Sequence, residues 1–236
     1  MKTIGLIGGM SWESTAVYYR RINEEVRRVR GGLASAEIAM RSLDFTTVVA
    51  LQKADRWVDA GNLLGHAAAS LNRAGAACVL ICTNTMHLVS KPVAEMAGVP
   101  LICIIEETAK ALKADGRKRA LLLATRYTME HGFYADRMAE LGIEIVTPDA
   151  EDRQIVHDVI FDELCQGKIL ETSREKYLAI IEKMKDRGID SVILGCTEIS
   201  MLVDPDKLGI AGYDSTTIHA DAAVRFALDN DLEIAA

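Results

Sequence analysis

Three observations on this 236-residue chain predict an α/β fold of two similar units, each a parallel sheet with helices on both faces. Short, uncharged, branched runs of the kind buried in parallel sheets alternate with helix-length amphipathic stretches along the whole length. Strand, polar loop and helix start occur at Ile4-Gly5-Leu6-Ile7-Gly8-Gly9-Met10-Ser11 and again at Leu121-Leu122-Leu123-Ala124-Thr125-Arg126-Tyr127-Thr128. In each half a Cys-Thr loop then follows a later apolar run: Ile81-Cys82-Thr83-Asn84-Thr85 and Gly195-Cys196-Thr197-Glu198-Ile199, the cysteines 114 positions apart (196 minus 82).

Taken in order, strand-like runs fall at Thr3 to Ile7, Glu37 to Leu43, Ala77 to Ile81, Leu101 to Ile104, Arg119 to Ala124, Glu144 to Val146, Ser191 to Leu194 and Gly209 to Ala211. Each is too short for a helix and branched enough to be buried on both faces. The stretch Ser11 to Arg30 opens with Ser11-Trp12-Glu13-Ser14, a capping signature, and reads as an amphipathic helix. Arg56 to Arg73, Thr128 to Glu140, Thr172 to Arg187 and Thr216 to Leu228 read the same way. The echo between halves has an imperfect register, since Gly75 precedes Cys82 by seven positions and Gly188 precedes Cys196 by eight. Duplication therefore rests on topology more than identity. The crossover is expected near Val99-Pro100, with residues 1–98 plus 208–236 as the first unit and 99–207 as the second, the last strand and helix returning to the first.

About half the residues are apolar and a quarter charged, the balance of a folded globular protein. A net charge of -7 and scattered lysines and arginines argue against a nucleic-acid partner, which needs a basic face. No apolar stretch approaches the ~20 residues of a membrane span, and Gly8-Gly9 and Trp12-Glu13 come too early for a signal peptide. Five cysteines, an odd number without secretory context, fit free thiols in a reducing, cytoplasmic compartment. Cys78, Cys103 and Cys165 lie within apolar or helical runs and read as small buried hydrophobes.

Only Cys82 and Cys196 sit just past a strand end, the edge where open α/β sheets bind ligands. Asn84 and Thr85 beside the first, and Thr197 and Glu198 beside the second, offer short donors and acceptors, though such residues also cap helices. Gly9 and Met10 lie in a loop where glycine lets a backbone approach a ligand and helix-start amides face a carboxylate. A tight βα turn alone would also select glycine, and the G-x-G-x-x-G spacing of a dinucleotide site is absent. Thr125 and Thr128 make a further donor-rich loop at a strand end. Cys78-x3-Cys82 with His87 is a poor metal set, because Cys78 is interior to a strand and no second cluster accompanies it, so no metal is expected. His87 lines the site at most, and His66, His131, His157 and His219 read as solvated or capping.

Two opposed thiols supply what a racemase needs: one base to take a proton from one face of a carbon and one acid to return a proton to the other. Ionising a free thiol at neutral pH costs roughly 2 kcal/mol, which helix-start amides can lower. The weakly acidic α-carbon, with no cofactor to hold its charge, must be served by donors on the carboxylate where enediolate charge develops.

At this point the chain resembles the cofactor-independent aspartate/glutamate racemases of the Asp/Glu/hydantoin racemase superfamily. The likeness spans nearly the whole chain, from Met1-Lys2-Thr3-Ile4-Gly5-Leu6-Ile7-Gly8-Gly9-Met10-Ser11-Trp12-Glu13-Ser14-Thr15 through Cys82-Thr83-Asn84-Thr85-Met86-His87 and Thr125-Arg126-Tyr127-Thr128-Met129-Glu130 to Glu163-Leu164-Cys165-Gln166-Gly167 and Gly195-Cys196-Thr197-Glu198-Ile199. The resemblance implies two Rossmann-like units with the active site in the cleft between them, a homodimer, no pyridoxal phosphate or metal, and Cys82 and Cys196 as the acid/base pair. Its bacterial L-aspartate/glutamate branch implies amino-acid contacts from Met10, Gln52 and the threonine loops. Archaeal-type relatives place an arginine after the second strand for the side-chain carboxylate; this chain reads Ser42-Leu43-Asp44-Phe45 there, leaving Lys168 as a candidate partner. Broad-specificity amino-acid racemisation, or another isomerase reaction of the superfamily, is the alternative within enzymes. A non-catalytic small-anion-binding module is the alternative outside them.

Overall fold

A computed structural model describes residues 1–229. Its elements run β1 (Ile4–Gly8), α1 (Trp12–Arg30), β2 (Ile38–Ser42), α2 (Phe45–Lys53), α3 (Trp57–Arg73), β3 (Cys78–Ile81), α4 (Ser90–Ala97), β4 (Leu101–Ile102) and α5 (Ile104–Ala114). They continue through β5 (Arg119–Leu123), α6 (Arg126–Glu130), α7 (Phe133–Glu140), β6 (Glu144–Val146), α8 (Ala150–Asp158), α9 (Glu171–Lys185), β7 (Ser191–Leu194), α10 (Ile199–Leu202), β8 (Ala211–Asp214) and α11 (Ser215–Leu228). The chain forms two compact units, Met1–Cys103 with the segment from His219, and Ile104–Ile218.

Each unit contains one four-stranded sheet with parallel pairing throughout, in the orders β2-β1-β3-β4 and β6-β5-β7-β8. Strand for strand these are the same order, which gives the internal echo a structural basis. The central strands β1, β3 and β7 are buried along their whole length, as continuous apolar runs covered on both faces must be.

In the first unit the pleat sorts side chains into two cores. Ile7, Val79 and Ile81 pack with Val48 of α2, Leu64 and Leu71 of α3 and Val93 of α4. Ile4, Leu6, Cys78 and Leu80 pack on the other face with Tyr18, Ile22 and Val26 of α1 and Ala223, Val224 and Ala227 of α11. Helix α1 forms because Ser14, Tyr18, Ile22 and Val26 recur every fourth residue, which keeps one stripe against the sheet. Its first turn is capped by Ser11, whose hydroxyl accepts from the Ser14 amide at 3.3 Å. In the second unit the buried helical positions include Leu112 of α5, Met138 of α7, Val156 of α8 and Tyr177, Ile181 and Met184 of α9.

The division differs from the expected one. The last strand is Ala211–Asp214 rather than Gly209 to Ala211, and it does not return to the first unit. It pairs with β7, Val192 opposite Gly212 and Leu194 opposite Asp214. The free edge of β7, whose other side β5 occupies, supplies its backbone partners. The chain therefore changes unit at Cys103 and Ile104, and again inside α11, between Ile218 and His219. The single helix expected over Thr128 to Glu140 is two, α6 and α7, separated at His131-Gly132, because glycine is a poor helix-interior residue.

His219, read from sequence as solvated or capping, is fully buried. Its Nε2 lies 2.8 Å from the Ile102 carbonyl, and its Nδ1 2.8 Å from the Tyr18 hydroxyl. A carbonyl only accepts, so Nε2 carries the proton and Nδ1 accepts from Tyr18. Burial, aided by the neighbouring His87 and outweighing the Ile102 carbonyl, pushes its pKa down to about 3. The unfolded chain, titrating this histidine near 6.5, binds a proton that the folded chain refuses. The stability is thus fully present above pH 6.5 and is lost as pH falls toward 3, by about 2 kcal/mol between pH 7 and pH 5. His219→Gln should flatten that part of the slope in urea titrations at the two pH values; an unchanged slope would show that His219 does not set it.

Candidate active site

One group of candidate residues is built at the carboxyl edge of β1 and β3 in the first unit. Gly9 has φ +87, and a Cβ there would sit 2.1 Å from the Leu43 carbonyl oxygen, so only glycine fits this turn. Its amide donates to Thr15 Oγ1 at 2.8 Å, and that hydroxyl donates in turn to the Ser11 carbonyl at 2.9 Å. The Gly9 amide is therefore spent within the loop and is not a donor to a ligand, a correction to the expectation from sequence. Met10 turns its side chain into the α2–α3–α4 core, which leaves only its backbone for recognition.

Cys82 is the first residue past β3. Its amide donates to Ile7 O at 3.0 Å and its carbonyl accepts from Ser14 Oγ at 3.2 Å, so β1 and α1 hold it from both sides. Its side chain belongs to the apolar cluster with Leu6, Leu80 and Tyr18, and burial pushes the thiol far up. Asn84, Thr85 and His87 follow, all buried, in a short 3-10 turn over Thr85–Val89. His87 Nδ1 donates to Thr83 O at 2.9 Å, which fixes its tautomer. Gln52, buried on α2, donates from Nε2 to Met86 Sδ at 3.1 Å and so joins this edge.

A second group stands at the carboxyl edge of β5 and β7 in the second unit. Thr125 caps α6, its Oγ1 accepting from the Thr128 amide at 3.4 Å and lying 3.1 Å from Thr128 Oγ1. Thr197 Oγ1 accepts from Thr216 Oγ1 at 3.1 Å. Cys196 Sγ donates to Glu198 Oε2 at 3.0 Å. Burial first, and the Glu198 charge second, hold this thiol well above its ordinary range. Lys168 is exposed, and its Nζ donates to Gln166 Oε1 at 2.8 Å.

The two cysteines follow equivalent strands with a one-residue offset. Ile7 O accepts from Cys82 N across the β1–β3 pair, and Leu123 O accepts from Gly195 N across the β5–β7 pair. Gly195 is thus the counterpart of Cys82, and Cys196 lies one residue further on. The extra position in the glycine-to-cysteine spacing is Gly195 itself, where a Cβ would meet Leu122 Cδ1 at 2.8 Å.

The hydroxyls of Ser14, Thr15 and Thr216 organise the loops, and the sequence reading passed over them. Their only local signal is a polar residue on an otherwise buried helix stripe. Cys165, a small buried hydrophobe by its sequence context, is partly exposed, and its Sγ points at Glu198 Oε1, 3.8 Å away. By contrast Cys78 does behave as filler inside β3, its thiol raised to about 11 by burial.

Residues 7–223 match the family profile described as Asp/Glu/Hydantoin racemase. The chain belongs to this racemase family. A crystal structure from Yersinia pestis, described as a candidate Asp/Glu racemase, is 47% identical to this racemase, covers 97% of it and 100% of the other chain, and superposes with a TM-score of 0.90. An aspartate racemase homologue from Pyrococcus horikoshii is 32% identical over 96% of this chain and 99% of that one, with a TM-score of 0.83. The broad specificity amino-acid racemase RacX of Bacillus subtilis is 23% identical over 94% of this chain and 96% of its own length. Both cysteine loops of this racemase fall inside the matched span.

Proposed function

We propose that this racemase interconverts the L and D forms of an amino acid, aspartate and glutamate first, without pyridoxal phosphate or metal, and that Cys82 and Cys196 are its acid/base pair. The observation that carries this reading is the placement of one cysteine just past the equivalent strand of each of two like-ordered sheets. One thiolate takes the Cα proton from one face and the other thiol returns a proton to the opposite face. The intervening enediolate needs donors on its carboxylate, for which Met10 N–H, Asn84, Thr85, Thr125, Thr128 and Thr197 are placed at the two strand edges, with Gln52 beside Met86. His87, its Nδ1 turned to the Thr83 carbonyl, is assigned to the lining.

An acidic side chain is supported by Arg41, exposed one residue short of the end of β2 and opposite Ile7, with no carboxylate partner among the described residues. Broad specificity is the second reading, favoured by the tie of Lys168 to Gln166 and by the name of the Bacillus relative. A non-catalytic anion-binding module has no use for two thiols at equivalent strand ends. The reading includes a homodimer in the cytoplasm; among the described residues no helix is long and apolar enough to cross a membrane.

The test is incubation of purified protein with L-Asp, L-Glu and a panel of other L-amino acids in D2O, following Cα deuteration and enantiomer ratio together. Deuteration with loss of optical purity is expected for aspartate or glutamate. Turnover spread evenly over neutral side chains would favour broad specificity, and no change with any amino acid would refute the racemase reading.

A further inference from the structure

Glu198 is a carboxylate only 4% exposed, and it faces two thiols. Oε2 accepts from Cys196 Sγ at 3.0 Å, and Oε1 accepts, more weakly, from Cys165 Sγ at 3.8 Å. Cys165 lies in a 3-10 turn, Leu164–Gln166, that follows a π-turn over Val159–Glu163, a local irregularity frequent at functional sites. The other titratable groups of this cluster are Tyr177 of α9, whose hydroxyl donates to Val156 O at 2.9 Å, and Glu163, whose Oε2 is buried with no donor. The main influences on Cys196 are burial, Glu198 and Cys165.

In the Cys196–Glu198 hydrogen bond sulfur is the donor and a carboxylate oxygen the acceptor, so the shared proton belongs to Sγ. A fixed negative charge against Sγ then disfavours the thiolate. Cys82 has no such neighbour: burial alone acts on it. The two thiols, equivalent in topology, are therefore unequal in electrostatics.

We propose that Glu198 is a positioning residue that keeps Cys196 protonated and aims its S–H, with Cys165 steadying the carboxylate through the second oxygen. This rests on the racemase reading and deepens it, making Cys196 the acid of the resting enzyme. When it acts, its S–H bond breaks as the Cα electron pair forms a C–H bond, and the thiolate left beside Glu198 is the disfavoured state, which speeds its return to thiol.

The test is pulsed alkylation with iodoacetamide from pH 6 to pH 10, read at the Cys196 peptide by mass spectrometry, with Cys103 as internal reference. Glu198→Gln should move the Cys196 midpoint down by about one pH unit or more, giving roughly tenfold more alkylation at a fixed pH below it. Cys165→Ala, by freeing the carboxylate to swing away, should move it less and add nothing in the Glu198→Gln background, while Cys165→Ser restores the wild-type midpoint. If Glu198→Gln fails to fold, Glu198→Asp, with a shorter reach, should lower the midpoint in the same direction. An unmoved midpoint in the folded variant overturns the proposal, as does additivity of the two substitutions. Because the readout needs no substrate, a null D2O exchange experiment with a shifted midpoint would remove the racemase reading and leave the thiol–carboxylate pairing standing.

Discussion

Cys82→Ala and Cys196→Ala are each expected to lower racemisation by on the order of 10³–10⁴-fold, the scale of a lost acid/base group. Under the proposed two-thiol mechanism each variant loses one face of the reaction but keeps a thiol on the other. In D2O, a variant with a single thiol should therefore still exchange the Cα proton of one enantiomer, with retention, and leave the other untouched. The two variants should select opposite enantiomers. Because enantiomers have equal energy, kcat/KM must fall by the same factor from either side, so the selectivity shows in exchange and not in the rate ratio. NMR of pure L and pure D substrate reads both quantities. Wild-type turnover by either variant, or exchange of the same enantiomer by both, would remove the two-base mechanism.

Gly9→Ala is expected to destabilise the first unit by about 3–5 kcal/mol, at the upper end for a single substitution. Positive φ accounts for roughly 1–2 kcal/mol of that in a residue bearing a Cβ. The remainder is collision: the new methyl would stand 2.1 Å from Leu43 O and 2.5 Å from Leu43 N. Those are backbone atoms, and Leu43 is held by the hydrogen bond from its N–H to Gly8 O at 2.9 Å, so yielding would break that bond. Gly31→Ala is the control, since Gly31 has φ +74 and nothing within 4 Å of an added Cβ. It should cost about 1 kcal/mol. Equal urea midpoints for the two variants would show that the approach of Leu43 contributes nothing.

Strands were the most legible elements. Glu144–Val146 and Ser191–Leu194 stand where the short runs placed them; the second is buried along its whole length, as an unbroken uncharged run in a central parallel strand must be. Helices without a clean stripe were harder. Helix α2 was not read as an element because it buries only Val48 and Gln52 in nine residues, and α5 because its opening Ile104-Ile105 extends the apolar run of β4. The last strand was misplaced because Gly209-Ile210-Ala211 is the more apolar run, whereas the ladder with β7 is made by Ala211–Asp214, ending in a charged residue.

Periodicity, glycine placement and the paired Cys-Thr loops were by themselves enough to determine the fold class, the two units and the cysteines at the strand ends, because burial and turn geometry act within a few residues. What only the tertiary structure decided is which groups meet those loops. Thr15 takes the Gly9 amide from six residues away, Ser14 reaches the Cys82 carbonyl across 68 positions, and Cys165 reaches Glu198 across 33. Such hydrogen bonds depend on which strands and helices become neighbours when the apolar faces pack, and no local pattern records that choice.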